Sequence, residues 1–129
     1  MAGAPDPEPL QRLRAISERL PECAVEPSVP HAAFVVRKRT FAWFLVDHHG
    51  DGMVVVSLKV PPGENQAMVA AHPERFVLPS YLAARGWVSV RLDVPEVDWD
   101  ELGELMTDSY RMVAPKTLVT QIDASEPRL

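Results

Sequence analysis

At 129 residues and 14.3 kDa the chain has room for one domain with one real core, and none for a second catalytic domain. A hydrophobic share of 47% beside 24% charged residues excludes a wholly disordered chain. A net charge of −5 makes the molecule as a whole repel polyanions, so any contact with nucleic acid must rest on a local cationic patch.

The opening MAGAPDPEPL has neither the basic start nor the apolar stretch of a secretory signal, and no run reaches membrane-spanning length. A cytoplasmic protein with no membrane partner is the expectation. Pro5 and Pro7 mark residues 1–8 as a flexible leader. From Pro9 to Leu20, Leu10, Leu13, Ile16 and Leu20 recur at helical spacing among charged residues, which predicts an amphipathic helix closed by Pro21. Cys23 follows with no second cysteine and no paired histidine, a setting that suits an inert thiol.

Phe34 to Lys38, Thr40 to Val46 and Met53 to Val60 are rich in β-branched and aromatic residues. The turn residues His48-His49-Gly50-Asp51-Gly52 separate the last two, so two successive hairpins are predicted. Pro61-Pro62-Gly63 ends the third strand, Glu64 to Ala71 is a short helix stopped by His72-Pro73, and Tyr81 to Arg85 adds a turn. Trp87 to Leu92 alternates, with Trp87, Ser89 and Arg91 on one face and Val88, Val90 and Leu92 on the other. A last helix starts near Asp98, with Trp99, Leu102, Met106, Tyr110 and Val113 close to one stripe, and Pro115 ends it. The domain is placed at residues 9–119 and a tail at 120–129. The fold class is α+β: one antiparallel sheet with helices packed on one face and the other face partly open.

Lys38-Arg39-Thr40-Phe41-Ala42-Trp43, Ser57-Leu58-Lys59, Gly86-Trp87-Val88-Ser89-Val90-Arg91-Leu92-Asp93 and Asp108-Ser109-Tyr110-Arg111-Met112-Val113-Ala114 resemble, in that order, segments of the MmcQ/YjbR-like family of small bacterial proteins. The resemblance spans about Leu10 to Leu118. It implies a fold similar to the frataxin/CyaY-like α+β sandwich, and DNA binding through a double-wing arrangement. It implies no agreed catalytic residues, so a non-catalytic protein without cofactor is expected, and likeness to an iron-binding fold says nothing about iron unless ligands are present.

The residues themselves offer two places for chemistry. Arg37-Lys38-Arg39 puts consecutive cations at a hairpin tip, where a strand pair can carry them to a phosphate track. With Val56 and Leu58 facing the core, Ser57, Lys59, Trp87, Ser89 and Arg91 share the outer face, where Lys59 and Arg91 suit a phosphate and Trp87 a base. The expected nucleic-acid-binding residues are therefore Arg37, Lys38, Arg39, Lys59, Trp87 and Arg91, and the expected partner is DNA, bound weakly and salt-dependently. Against this stand solvated hairpin charges, cross-strand ion pairs and a Trp that caps the core edge. The alternative function is a module for a small molecule or a protein.

The second place is Asp47-His48-His49 after a strand, which matches the tripeptide of the DHH phosphoesterases but none of their further motifs. With His31 it offers metal-ligand types, yet a polar turn explains the same letters, and no metal is expected. Asp100, Glu104 and Asp108 make an acidic helix edge, read as a solvated face. Tyr81, Arg85 and Tyr110 are fitting material for a small pocket, with Tyr110 preferred as core.

Overall fold

The computed structural model describes residues 8–125, so all but the last residue of the leader lies outside the described residues. The elements run α1 (Glu8–Ser17), β1 (Cys23–Ser28), β2 (His31–Val36), β3 (Arg39–Val46), β4 (Val54–Lys59), α2 (Glu64–Ala71), β5 (Phe76–Val77), β6 (Trp87–Arg91), α3 (Trp99–Val113) and α4 (Lys116–Ser125). The strands form one antiparallel sheet in the order β1-β2-β3-β4-β6-β5. Two hairpins, β2–β3 and β3–β4, stand where the alternating runs put them.

Ala32, Phe34, Val36, Phe44, Val56, Leu58, Val88 and Val90 line the core face of the sheet and bury against Leu10 and Leu13 of α1, Leu102, Met106 and Tyr110 of α3, and Leu118 and Ile122 of α4. The β2–β3 register slips after Phe34, and Phe41 and Ala42 are both fully buried in this cluster, as a bulge permits. Asp98 caps α3 by accepting the Glu101 amide at 3.0 Å, and the Asp98-x-x-Glu101 spacing is that of a capping box. The Tyr110 hydroxyl donates to the Pro21 carbonyl at 2.6 Å, while its ring meets Phe41 edge-on, so Tyr110 is core.

Three elements lie where none was expected. β1 and the two-residue β5 extend the sheet at its edges, and α4 continues to Ser125 with Leu118 and Ile122 buried. The tail assigned from residue 120 is therefore helical as far as 125. Pro115 both stops α3 and starts α4, because its carbonyl accepts the amides of Leu118 and Val119. Among the described residues no helix is long and apolar enough to cross a membrane.

Candidate nucleic-acid interface

The antiparallel register sorts the charged residues between two ends of the sheet. Val36 pairs with Arg39 and Lys59 with Trp87, so the β2–β3 tip, the end of β4 and the start of β6 lie at one end. That end gathers Arg37, Lys38, Arg39 and Lys59, and Arg85 joins them just before Gly86, whose carbonyl accepts the Val60 amide at 2.9 Å. Neighbouring strands lie about 4.8 Å apart, so β3 and β6, two strands apart, span about 10 Å.

The tip is a two-residue loop, Arg37-Lys38, with φ of 49° and 67°. Both central residues must adopt positive φ in the turn that best fits a tight hairpin, and Asn-Gly does so most cheaply. Two long cationic side chains stand there instead, each at a cost of about 1 kcal/mol or more. Arg37 is held by Glu22 through a two-pronged pair, Nε to Oε1 at 2.6 Å and Nη2 to Oε2 at 2.8 Å. The hydrogen bond from Arg37 lowers the Glu22 carboxyl below its ordinary range. Lys38 and Arg39 are exposed, and among the described residues neither they nor Lys59 and Arg85 make an ion pair.

The pairs Lys59↔Trp87, Ser57↔Ser89 and Val55↔Arg91 put the five expected residues on one sheet face. That face is not an open recognition platform. Trp87 is 8% exposed, Ser57 0% and Ser89 4%, and the two serine hydroxyls meet at 2.6 Å between larger neighbours. Trp87 thus cannot present its ring for base stacking, which corrects the sequence expectation. Arg91 is also displaced from the expected role: it lies at the opposite end from the tip, its guanidinium bound to Asp93 at 2.9 and 3.0 Å. Of the six expected residues, Lys38, Arg39 and Lys59 remain free cations at one end, with Arg37 beside them under Glu22.

The exposed aromatic at that end is Tyr81, whose residue type suits a small pocket or the core equally. Its side chain is 89% exposed and its φ is 65°. The loop behind it is fixed, because the buried Asn65 amide donates to the carbonyls of Ala83 at 3.0 Å and Trp87 at 3.1 Å. Tyr110 is buried in the core, the role preferred for it, and Arg85 is exposed, so the three do not line one pocket. A groove of about 1100 Å³ between α1, α3 and α4 exists elsewhere, lined by Arg12, Arg19, Asp100, Glu104 and Asp108 among others. Cys23 is half-buried, and loss of solvent raises its thiol to about 11, which favours the protonated form over the reactive thiolate.

The far end of the sheet carries Asp47, His48, His49 and Asp51 in the β3–β4 loop, with His31 of β2 alongside. Asp47 accepts the Gly52 amide at 2.7 Å and Asp51 the Met53 amide at 2.9 Å, the bonds of a polar turn. Among the described residues no three His, Cys, Asp or Glu side chains converge as a metal shell.

With this geometry in hand, the family model for YjbR matches residues 18–112, well over half of the chain. The chain belongs to the YjbR family. Its fold is similar to the crystal structure of Deinococcus radiodurans protein DR2400, with family-model domain DUF419. The two are 27% identical over 88% of this chain and 87% of that one, with a TM-score of 0.68. No curated protein matches.

Proposed function

We propose that this YjbR-family domain is a non-catalytic DNA-binding module that grips the phosphate backbone with the basic end of its sheet. The observation that carries the reading is the alignment of unpaired Lys38, Arg39, Lys59 and Arg85 at one sheet end, with the first of them held in a strained two-residue tip. Strained non-glycine residues cluster where a side chain must be aimed. Tyr81 supplies the aromatic surface that Trp87 does not, and it suits an unpaired or frayed base.

With few cations on a chain of net charge −5, the affinity expected for duplex DNA is about 10⁻⁴ to 10⁻⁶ M at physiological salt, with little sequence preference. Fluorescence anisotropy of a labelled duplex against salt tests this. Phosphate contacts by Lys38, Arg39 and Lys59 give a log–log slope of about −2.7, and the combined Lys38→Ala, Arg39→Ala, Lys59→Ala variant should leave at most the slope of about −0.9 that a single contact by Arg85 supplies. A slope unchanged by that variant overturns the assignment. Binding of a ligand in an apolar pocket, within the other reading of a small-molecule or protein module, would show little salt dependence. Tyr81→Ala should leave duplex binding alone and weaken single strands by about 1–3 kcal/mol.

A further inference from the structure

The two tips of the sheet differ in a further way: three of the four histidines lie together at the far one. His31 is fixed at the start of β2, where its Nδ1 accepts the backbone amide of Val46 at 3.1 Å. As the acceptor in this bond Nδ1 carries no hydrogen, which puts the ring hydrogen on Nε2. The His48 ring meets His31 edge-on at 5.4 Å and an 88° angle, and the His49 ring lies 3.9 Å from His48.

The backbone that brings the rings together is itself unusual. Asp47 and His49 have φ of 49° and 57°, and the turn between β3 and β4 is closed by the side-chain bonds of Asp47 and Asp51 and by the Asp47 amide donating to Met53 at 2.8 Å. The charged group that acts on His48 is Asp51 of the loop, which lies in turn near the Arg91–Asp93 pair at the end of β6; Asp47 is the other carboxylate of the loop. Arg91 is paired with Asp93, while the two loop carboxylates each accept one backbone amide and keep their charge, so Asp51 offsets part of the repulsion that a protonated His48 would meet.

We propose that His31, His48 and His49 make the β3–β4 loop a proton-sensitive latch, closed while the imidazoles are neutral and released when they take up protons. A proton on His31 Nδ1 would face the Val46 N–H donor to donor and break that bond. Protons on His48 and His49 would set like charges a few ångströms apart. The direction of titration agrees: loss of solvent, then His49 and His31, hold His48 below the ordinary histidine range against a smaller upward pull from Asp51. An open loop, freed of these neighbours, takes up the proton at the ordinary value of about 6.5. Closure is thus complete above that pH and is lost as pH falls below it.

Amide hydrogen exchange followed by NMR, corrected for the intrinsic pH dependence of exchange, tests the latch on the full chain. Protection of Val46, Gly52 and Met53 should fall at least tenfold between pH 7.5 and 5.5, while Leu58 and Val90 in the sheet centre keep theirs. His31→Asn, whose side-chain oxygen accepts the same amide without titrating, should keep Val46 protected at both pH values. The combined His48→Gln, His49→Gln variant should lose most of the pH dependence at Gly52 and Met53. Equal protection of the three amides at both pH values in the unaltered protein overturns the proposal. So does a fall that His31→Asn and the double Gln variant leave unchanged.

Discussion

The two ends of one sheet are held by different means. At the basic end the anchors come from helices: Ser109 of α3 donates to the Phe41 carbonyl at 2.6 Å and accepts the Lys59 amide at 2.9 Å, and Asn65 of α2 holds the loop before β6. Both side chains are buried. At the histidine end the closing bonds come from the loop's own Asp47 and Asp51 and from His31, all exposed or half-buried. An anchored end can display fixed cations at a strained tip, whereas an end closed by its own titratable side chains responds to pH. The lesson is that position along a strand says less about a tip than what stands behind it.

Damage to the anchored end should cost the most. Trp87 lies there on the outer sheet face yet is buried, so Trp87→Ala should lose about 3–5 kcal/mol in chemical denaturation. A loss under about 1 kcal/mol would return Trp87 to the surface and reopen the recognition face. Ser109→Ala comes next. It leaves the buried Phe41 carbonyl and the Lys59 amide without their shared partner, at a cost of about 1–3 kcal/mol. Substituting His48 by Gln at pH 7.5 should change global stability far less than either, and a comparable loss would erase the contrast between the ends.

Much of this fold was legible because it depends on periodicity. The α3 stripe of Leu102, Met106, Tyr110 and Val113 is buried as spaced, Asp98 caps as its side chain suggests, and the β4–β6 parity holds pair by pair. β1 was not legible, because Pro21, Pro27 and Pro30 mask a six-residue run whose outer edge needs no partner. α4 was hidden by reading Pro115 only as a stop. β5 is too short to carry a period.

Only one of the errors at the site follows from a missed strand; the others have separate causes. Parity assigned Trp87, Ser57 and Ser89 to the correct face but says nothing of burial, which depends on the bulk of cross-strand neighbours such as Trp43 beside Ser57. Arg91 was bound by a carboxylate two residues away, within reach along the strand end. Tyr81 gave no signal beyond its residue type, because exposure of a loop side chain has no sequence period. Glu22 was invisible as a partner because β1 was: only the pairing Cys23↔Val36 sets Glu22 opposite Arg37.

That pair gives the finest test of the basic end. In the folded protein Arg37 spends both prongs of its guanidinium on Glu22, so it is the tip cation least available to a phosphate. Glu22→Gln removes the competing charge, frees Arg37 and makes the local charge more positive by one, without touching the core, since both side chains are about half exposed. One additional phosphate contact steepens the log–log salt slope by about 0.9, from about −2.7 to about −3.6, and raises affinity several-fold at low salt. Arg37→Ala in the Glu22→Gln background should return the slope to its starting value. If Glu22→Gln leaves both slope and affinity unchanged, Arg37 serves the β1–β2 contact alone and the phosphate track begins at Lys38. A weakened affinity would instead mean that Glu22 holds the tip in its binding shape, and the strained turn would be the part that matters.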